Sequence, residues 1–506
     1  MKNTEYDAIV IGAGMGGLIT GAVLAKREGM KVLVLEKESE IGGRIQCFGG
    51  PYGEYTEEEY RRLLGGAMGT WVIDSKPSLS EIIENGIFKD HIIEGGWHGM
   101  SAGDRNRFSL IARALGKKLP AENPIGFLYW KDGNWVEFRE YFNDWSKESS
   151  LERGKIATER ISLSRAEAAE YFHLSIKEYL STLTDDKRVI DFYTTLARWQ
   201  YCINDERMIS AGDWILCNNM TSATGRHLSF GGGMGDVKGG TKVVALVFAD
   251  IIRENGGEIV TKAKVKDVII EKHKATGVVV EVNGKERKIY AKNVISNLQM
   301  SQIFSIIPKE YFPEELAKRI ESYEPVAGLL MCIKTREPFE TEWPKGIYVI
   351  DRLPGIELKG GNPVWGFEQI SEVDPSRIIN GKGCITQTWM PISAKDPDEI
   401  HNKELMQKAN KAQLDFIRKQ WPRFDEILEW YITVVAESVY GCSPIPGQIG
   451  DRRPGVKHPY LKNLFFTGDT VSQWDVGTSG AAHGALICAS AVTGKDCLKI
   501  LPEYMR

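Results

Sequence analysis

The feature that most constrains this chain is a glycine-rich turn between two short apolar strands near its start. Asp7–Ile11 is typical of a buried strand, and the motif Gly12-x-Gly14-x-x-Gly17 follows it directly. A helical pattern comes next, and Lys31–Leu35 predicts a second strand. Strand, glycine turn, helix and strand together predict a complete β-α-β unit.

This unit predicts a site for the pyrophosphate of an adenine dinucleotide. Gly12 permits the tight turn, Gly14 lets the backbone approach the phosphates, and Gly17 lets the helix pack closely on the strand. The helix N-terminus adds free N–H groups and the positive end of a dipole. Glu36 ends the second strand, where a carboxylate can accept hydrogen bonds from the ribose hydroxyls. The motif alone does not distinguish FAD from NAD.

Length and charge limit the other possibilities. A chain of 506 residues exceeds the usual size of one core, so two domains are expected. The net charge is −4 without long runs of either sign, which gives no reason to expect a nucleic-acid partner. The first strand begins too early for a signal segment, and no apolar stretch is long enough to span a membrane. We therefore expect a cytoplasmic protein.

The cysteines and histidines predict no metal ion. The eight cysteines are scattered without a CxxC pair, which argues against zinc and iron–sulfur sites. No Ser-His-Asp spacing or histidine cluster stands out among the eight histidines. Flavin chemistry needs few protein groups beyond those that hold cofactor and substrate, so an enzyme remains compatible with this pattern.

A second glycine motif follows the β-α-β unit. Gly42-Gly43-Arg44 follows Glu36 closely, and its guanidinium can bridge phosphate oxygens in a forked geometry. This segment resembles the glycine doublet of the FAD-dependent amine oxidase and phytoene desaturase superfamily. The resemblance implies FAD as the cofactor and a glutathione-reductase-type FAD-binding domain.

Two later segments resemble the same superfamily. In residues 239–297, a helix over Thr241–Asn255 is followed by short strands, and the resemblance implies that Val265 holds the adenine through its backbone. Near the end of the chain, a strand leads into Gly468-Asp469, a loop and a glycine-led helix. The helix is predicted to begin at about Ser479. The resemblance implies that Asp469 accepts hydrogen bonds from the ribityl hydroxyls and that the backbone N–H groups of Gly477, Thr478 and Ser479 face flavin N1 and O2.

Together these motifs give the predicted cofactor site. The predicted FAD-binding residues are Gly12, Ala13, Gly14, Gly16, Gly17, Glu36, Lys37, Gly43, Arg44, Val265, Gly468, Asp469, Gly477, Thr478 and Ser479.

The loop between Asp469 and Gly477 carries the catalytic candidates. Trp474 and Asp475 lie there, and Asp475 is a candidate base or an anchor for a cationic intermediate. The alternative for Asp475 is a solvent-facing loop acid. His483 on the following helix is interpreted as a helix histidine with its hydrogen bonds satisfied.

The predicted fold is α/β, with a Rossmann-like FAD domain built on a central parallel sheet. An interleaved α+β substrate domain is expected to contain helices and an antiparallel sheet. The predicted FAD domain comprises residues 1–75, 230–300 and 435–506, and the substrate domain 76–229 and 301–434. A hairpin is predicted at Asp132-Gly133, and two helices are predicted to join at Asp185-Asp186. The many Trp and Tyr residues of the second domain fit either an apolar substrate tunnel or an ordinary aromatic core.

Within the superfamily, the chain resembles the phytoene desaturase and carotenoid isomerase branch. This implies dehydrogenation of a C–C bond in an apolar, isoprenoid or alicyclic substrate by hydride transfer to flavin N5. The alternatives are a double-bond isomerase or saturase that uses reduced flavin, a flavin amine oxidase, and a non-enzymatic prenyl-protein carrier of the Rab GDP-dissociation inhibitor type. The electron acceptor and oligomeric state stay open, and one helical face is a candidate for peripheral membrane contact.

Overall fold

The computed structural model describes residues 6–52, 55–62, 70–96, 99–121, 125–224, 234–392 and 397–506. The strands are β1 (Tyr6–Ile11), β2 (Val32–Leu35), β3 (Cys47–Phe48), β4 (Thr70–Lys76), β5 (Ile93–Glu94), β6 (Met100–Ser101), β7 (Phe127–Lys131), β8 (Asn134–Glu137), β9 (Met234–Gly235), β10 (Glu258–Val260), β11 (Ala263–Glu271), β12 (Lys274–Val282), β13 (Lys285–Ser296), β14 (Val326–Thr335), β15 (Ile347–Ile350), β16 (Trp365–Glu368), β17 (Cys384–Ile392), β18 (Leu428–Tyr440) and β19 (Leu464–Phe466).

The helices surround two main sheets. They are α1 (Met15–Glu28), α2 (Glu57–Arg62), α3 (Leu79–Glu84), α4 (Arg107–Ala114), α5 (Lys147–Ser162), α6 (Arg165–Glu170), α7 (Ile176–Leu183), α8 (Lys187–Tyr201), α9 (Ala211–Ala223), α10 (Lys242–Glu254), α11 (Glu314–Glu321), α12 (Ile370–Val373), α13 (Pro397–Ile400), α14 (Lys403–Gln420), α15 (Phe424–Ile427) and α16 (Gly477–Thr493). No helix in the described part of the chain is both long and apolar enough to cross a membrane.

The first sheet contains the predicted β-α-β unit. Strands β10, β2, β1, β13 and β19 are parallel neighbours in that order. Only the second half of β13 belongs to this parallel arrangement. Its first half pairs with β12, which in turn pairs with β11, and these three segments form an antiparallel meander. Helix α1 contacts both α10 and α16 beside the sheet. This arrangement confirms the predicted Rossmann-like fold with a central parallel sheet.

The second sheet has eight strands in the order β4-β18-β14-β17-β16-β15-β7-β8. Its neighbours are antiparallel except for β15 and β7, which are parallel. Strands β7 and β8 form a hairpin at the edge of the sheet, and β7 runs in the same direction as its neighbour β15. Asp132 and Gly133 connect the two strands with positive φ values of 50° and 87°, so the predicted hairpin is confirmed.

Two of the predicted domain boundaries fall inside strands of this second sheet. Strand β4 runs through position 75 and pairs with β18, and β18 itself runs through position 434. The division of the chain into two domains stays a prediction. The two helices predicted around Asp185-Asp186 are α7 and α8, and the Asp186 carboxylate accepts hydrogen bonds from the N–H groups of Arg188 and Val189 at the start of α8.

Most aromatic residues near the second sheet form a packed core. Tyr348 stacks on Phe367 with ring centres 4.3 Å apart, and Trp135 meets Tyr348 edge to face at 4.8 Å. Trp199 and Trp389 also pack edge to face at 5.2 Å, but both of these rings line cavities described below. The aromatic-core interpretation therefore holds for the first group, and only a minority of these rings face open space.

A Gly17→Ala variant tests the contact between α1 and the glycine turn. A Cβ atom at Gly17 would lie 2.2 Å from the carbonyl oxygen of Gly12. We expect the variant to lose about 2 kcal/mol of unfolding free energy in denaturant titrations, because the helix must move away from the strand. Gly455→Ala is the matched control, since a Cβ atom at Gly455 would point into open space. Equal stability of the two variants would contradict this account.

Candidate active site

A cavity of about 690 Å³ lies at the carboxyl ends of the parallel strands, and we call it the cofactor cavity. Ligands of open α/β sheets bind at this edge. The predicted residues that line it are Gly12, Gly14, Gly16, Glu36, Lys37, Gly43, Arg44, Val265, Gly468, Asp469, Asp475, Gly477, Thr478 and Ser479. The structure thus brings together residues from both ends of the sequence. Ala13, Gly17 and Trp474 do not line the cavity.

The two glycine-rich regions meet at Asn297. A Cβ atom at Gly14 would lie 2.8 Å from Asn297 Nδ2, and one at Gly16 would lie 2.5 Å from both Asn297 Oδ1 and Gly468 Cα. Asn297 follows β13 directly, and its backbone N–H donates to Ile11 at 2.8 Å. The sequence analysis did not identify Asn297 as a site residue. Its position directly after a buried parallel strand is the signal that could have identified it.

Glu36 occupies the expected position at the adenosine end. Its carboxylate accepts hydrogen bonds from the backbone N–H groups of Ala13 at 2.7 Å and Glu38 at 2.9 Å. Burial raises the pKa of Glu36, although these two N–H groups act in the opposite direction. Val265 lies where the pairing of β11 with β12 shifts register, and such a bulge leaves backbone groups unpaired. Both residues line the cofactor cavity, and their contacts with a ribose and an adenine stay predictions.

Arg44 and Asp469 form an ion pair across the middle of the cofactor cavity. Arg44 Nη1 lies 2.8 Å from Asp469 Oδ2, and the N–H of Gly441 donates to the same carboxylate oxygen at 2.8 Å. Burial would raise the pKa of Asp469, but Arg44 and the Gly441 N–H outweigh burial and hold this pKa below its ordinary value. The carboxylate is therefore ionised at neutral pH and can accept hydrogen bonds from a ligand.

The N-terminus of α16 opens onto the cofactor cavity. Its first intrahelical hydrogen bond runs from the Gly480 N–H to the Val476 carbonyl, so the N–H groups of Gly477, Thr478 and Ser479 have no partner within the helix. The helix begins two residues before the predicted start near Ser479. The aligned peptide dipoles of this 17-residue helix place partial positive charge at these three N–H groups.

The structure corrects the prediction for Trp474. Its side chain is buried away from the cofactor cavity, with the guanidinium of Arg107 over the ring at 4.4 Å and that of Arg165 at 5.2 Å. His483 packs edge to face on the same ring at 5.1 Å, and its Nδ1 accepts the backbone N–H of Trp474 at 3.5 Å. The electron-rich face of the indole attracts both cations. Trp474 is therefore part of the packing behind α16.

Asp475 lines the cofactor cavity, but its carboxylate is fully engaged within the protein. It pairs with the buried Arg107 at 3.1 Å and accepts hydrogen bonds from Cys217 Sγ at 3.1 Å, from the Val476 N–H at 2.8 Å and from the Ser479 hydroxyl. The backbone of Asp475 has a φ of 90°, which is strained for a residue with a side chain. Asp475 is neither a free base nor a solvent-facing acid. It anchors the start of α16.

A second buried carboxylate supports this loop from α9. Asp213 Oδ1 accepts the backbone N–H of Asp475 at 3.0 Å, and its Oδ2 accepts the hydroxyl of Tyr201 at 3.0 Å. Burial raises the pKa of Asp213 to about 6. The sequence analysis identified neither Asp213 nor Arg107, because both contact Asp475, which lies hundreds of residues away from them along the chain.

Two smaller cavities continue from the cofactor cavity over the second sheet. The sheet cavity has a volume of about 70 Å³ and shares Arg44, Cys202, Ser438 and Val439 with the cofactor cavity. The end cavity has a volume of about 30 Å³ and shares residues such as Leu330 and Val434 with the sheet cavity. Within the described residues, no group of three or more metal-binding side chains is present.

Comparisons with known proteins agree with this geometry. A family model described as flavin containing amine oxidoreductase matches residues 15–493. All-trans-retinol 13,14-reductase from Rattus norvegicus is 23% identical over 97% of this chain and 86% of its own length. Prolycopene isomerase from Daucus carota is 28% identical over 64% of this chain and 50% of its own length. A 4,4′-diapophytoene desaturase from Methylomonas is 25% identical over 63% of this chain and 59% of its own length.

A solved structure shows the same fold over nearly the whole chain. An oxidoreductase from Methanosarcina mazei superimposes with a TM-score of 0.69 at 17% identity, and the match covers 96% of this chain and 100% of that one. The glycine turn, the carboxylate of Glu36 and the second helix N-terminus all line one cavity, and together they indicate a flavoprotein of the dinucleotide-binding class. The chain belongs to the flavin-containing amine oxidoreductase family. It is an FAD-dependent oxidoreductase, as predicted, and its relatives confirm the resemblance to the desaturase and isomerase branch.

The residues present fit FAD. The lining includes Glu36 and Val265, the Arg44–Asp469 pair and the N-terminus of α16, so it offers hydrogen-bond acceptors, a cation and N–H donors to the ribose, phosphates and flavin of FAD. The backbone of the glycine turn lines the cavity without side chains that would fill it. The individual contact assigned to each residue stays a prediction.

An Asp475→Ala variant distinguishes an anchor from a catalytic base. The change leaves Arg107 charged, buried and unpaired, so we expect a loss of about 3–5 kcal/mol of unfolding free energy. Chemical denaturation measures this loss. Glu314→Ala removes the exposed ion pair with Lys318 on α11 and should change stability by less than about 1 kcal/mol. Wild-type stability combined with lost turnover in Asp475→Ala would support a base instead.

Asp213 predicts a pH dependence of stability. Its pKa is about 6 in the folded protein against an ordinary value of 3.8, so its stabilising contribution is fully present below pH 3.8 and is lost as the pH rises through 6. We expect the unfolding free energy of the wild type, relative to Asp213→Asn, to fall by about 2–3 kcal/mol between pH 4 and pH 7. Denaturant titrations at each pH measure the difference. A difference that does not change with pH would show that Asp213 ionises normally.

Proposed function

We propose that this enzyme dehydrogenates a C–C bond of a slender apolar substrate, of isoprenoid or alicyclic type, with FAD as hydride acceptor. The observation that carries the proposal is the sheet cavity, which shares Arg44, Cys202, Ser438 and Val439 with the cofactor cavity. Its lining is largely apolar and includes Leu330, Trp389, Met390, Val434 and Val439. Bound FAD would supply the acceptor atom N5 for a hydride from one carbon atom, and the neighbouring carbon atom would release a proton to solvent as the double bond forms.

The residues of the chain then position the reactants and exclude water. The N–H groups at the start of α16 stabilise negative charge that develops on the reduced cofactor, and the Arg107–Asp475 pair holds this helix end in place. Tyr440 lies against the same helix end, since a Cβ atom at Gly477 would be 2.9 Å from its ring. These groups bind and orient the cofactor and the substrate, and the apolar walls of the sheet cavity keep water from the reacting carbon atoms.

The names of the relatives support C–C chemistry. They include a diapophytoene desaturase, a prolycopene isomerase and a retinol 13,14-reductase. Amine oxidation receives less support, because the described residues that line the sheet cavity include Arg44 and no carboxylate. A cationic amine would therefore find no carboxylate partner among the described residues of this lining.

Reduction of a double bond is the second candidate. The relative that matches nearly the whole chain is named as a reductase, whereas the desaturase matches less of it. The same cavity accommodates the substrate of either reaction. The two candidates differ in the redox state of FAD that begins the reaction.

Anaerobic spectroscopy of the FAD-loaded protein tests the proposal. C20 and C40 isoprenoids are mixed with the oxidised and with the dithionite-reduced protein, and the flavin absorbance is followed. Bleaching of the oxidised flavin supports dehydrogenation, and reoxidation of the reduced flavin supports the second candidate. Bleaching by primary amines and by no isoprenoid would overturn the proposal.

A Gly328→Leu variant tests whether the sheet cavity holds the substrate. Gly328 lies on the floor of this cavity, and a Leu side chain would fill much of its 70 Å³. We expect substrate-dependent flavin bleaching to slow at least about tenfold, with FAD content unchanged. Gly328→Ala is the matched control, because its Cβ atom would make ordinary contacts of 3.5 Å with Met390 and Val439. An unchanged rate in Gly328→Leu would show that the substrate binds elsewhere.

A further inference from the structure

The glycine turn offers fewer free donors to a pyrophosphate than its sequence suggests. The N–H of Gly12 donates to the Leu35 carbonyl at 2.8 Å. The N–H of Ala13 donates to the Glu36 carboxylate at 2.7 Å. A pyrophosphate is anionic and carries many acceptor atoms, so it binds best where several donors converge. Two of the donors that the turn would supply are already used within the protein.

The start of α1 supplies part of what is missing. Its first intrahelical hydrogen bond runs from the Leu18 N–H to the Gly14 carbonyl at 2.9 Å, so the N–H groups of residues 15–17 have no partner within the helix. These N–H groups and the helix dipole attract a phosphate group. A pyrophosphate has two phosphate groups, so a further donor beside the turn would complete its binding.

Asn297 is the side chain that reaches into the space beside the turn. A Cβ atom at Gly14 would lie 2.8 Å from Asn297 Nδ2, and a Cβ atom at Gly468 would lie 2.9 Å from Asn297 Oδ1. The residue is partly exposed and lines the cofactor cavity. Its amide therefore lies between the two glycine-rich regions, where a bound ligand can contact it.

The glycine turn also fixes which way the amide points. Asn297 Nδ2 lies 3.5 Å from the Gly12 carbonyl oxygen, and Oδ1 lies on the side of Gly468. The reversed amide would place two acceptors next to each other at Gly12. A contact of 3.5 Å uses the donor only weakly, and an amide nitrogen has two donors. The nitrogen thus keeps a donor for a ligand on the side of the turn.

The anionic part of FAD is the group that fits this donor. Nδ2 lies on the side of Gly14, from which α1 presents its free N–H groups. A carboxylate in place of the amide would meet the phosphates with like charge. A longer cationic side chain would collide with the backbone at Gly14 and Gly16, because these glycines already lie against the short side chain of Asn297.

We propose that Asn297 Nδ2 donates a hydrogen bond to the pyrophosphate of FAD, in place of the N–H groups that the turn uses internally. The pyrophosphate is then held from two sides, by the start of α1 and by the residue that follows β13. This inference concerns the cofactor alone, so it does not depend on which substrate the enzyme oxidises or reduces.

An Asn297→Asp variant tests the inference without turnover. Aspartate has nearly the same shape, but its carboxylate has no donor and repels a phosphate. The change in flavin fluorescence on adding FAD to the FAD-free protein gives the affinity. We expect the variant to bind FAD at least about tenfold more weakly than the wild type at pH 8. At pH 5 the loss should be smaller, because a neighbouring phosphate raises the pKa of the new carboxyl group and its protonated form regains a donor.

Matched ligands separate the phosphate contact from the rest of the site. ADP and adenosine share the adenine and the ribose, and only ADP carries a pyrophosphate. Each is titrated against the FAD-loaded protein until FAD is displaced. Asn297→Asp should weaken ADP relative to the wild type at pH 8 and leave adenosine unchanged.

Two further variants serve as controls. Asn297→Ala lacks the donor at every pH, so its loss of FAD affinity should be the same at pH 5 and pH 8, and it replaces the aspartate variant if that variant does not fold. Asn134 is exposed on the hairpin of β7 and β8, and Asn134→Asp should bind FAD like the wild type.

Two results would overturn the inference. The first is wild-type FAD affinity in the Asn297 variants. The second is a loss in Asn297→Asp that is equal at both pH values, since this would indicate disturbed packing and not a missing donor. Neither result bears on the proposed C–C chemistry, because every measurement uses the cofactor or its fragments alone.

Discussion

The architecture depends on the close approach of two backbone segments that are far apart in the sequence. Gly16 and Gly468 lie so close that a Cβ atom on Gly16 would be 2.5 Å from the Gly468 Cα atom, and Asn297 fills the remaining space between them. This contact is possible because β1, β13 and β19 are neighbours in one parallel sheet and end at the same edge. The cofactor cavity exists because this edge carries backbone and few side chains.

Buried charge holds the other end of the cavity. The Arg107–Asp475 pair lies beneath the start of α16, and Asp213 binds the backbone of the same loop. A buried ion pair contributes little net stability compared with apolar packing, but it fixes geometry, because every alternative arrangement leaves a buried charge without a partner. The strained φ of Asp475 fits this explanation. The loop is held in one conformation by contacts from α4 and α9.

The FAD-binding fold could be predicted because its motifs are local. The glycine turn, its helix and Glu36 lie within one short segment, and backbone preferences restrict such segments to few conformations. The functions of Trp474 and Asp475 could not be predicted in this way. Both residues directly precede the helix whose N-terminus opens onto the cofactor cavity. In the structure, Trp474 makes a cation–π contact with Arg107 and Asp475 forms an ion pair with it, so both residues hold the loop in place. Asn297 could not be predicted as a site residue, because the glycines that it contacts are distant from it in the sequence.

The sequence by itself determined the β-α-β unit, the glycine regions and the carboxylate of Glu36, because each follows from the conformational limits of neighbouring residues. The tertiary structure decided which side chains face the cofactor and which face the core. It also decided that β14, β17 and β18 align rows of largely apolar residues along the sheet cavity. Strand register sets these rows, and register arises from packing between segments that are distant in the chain.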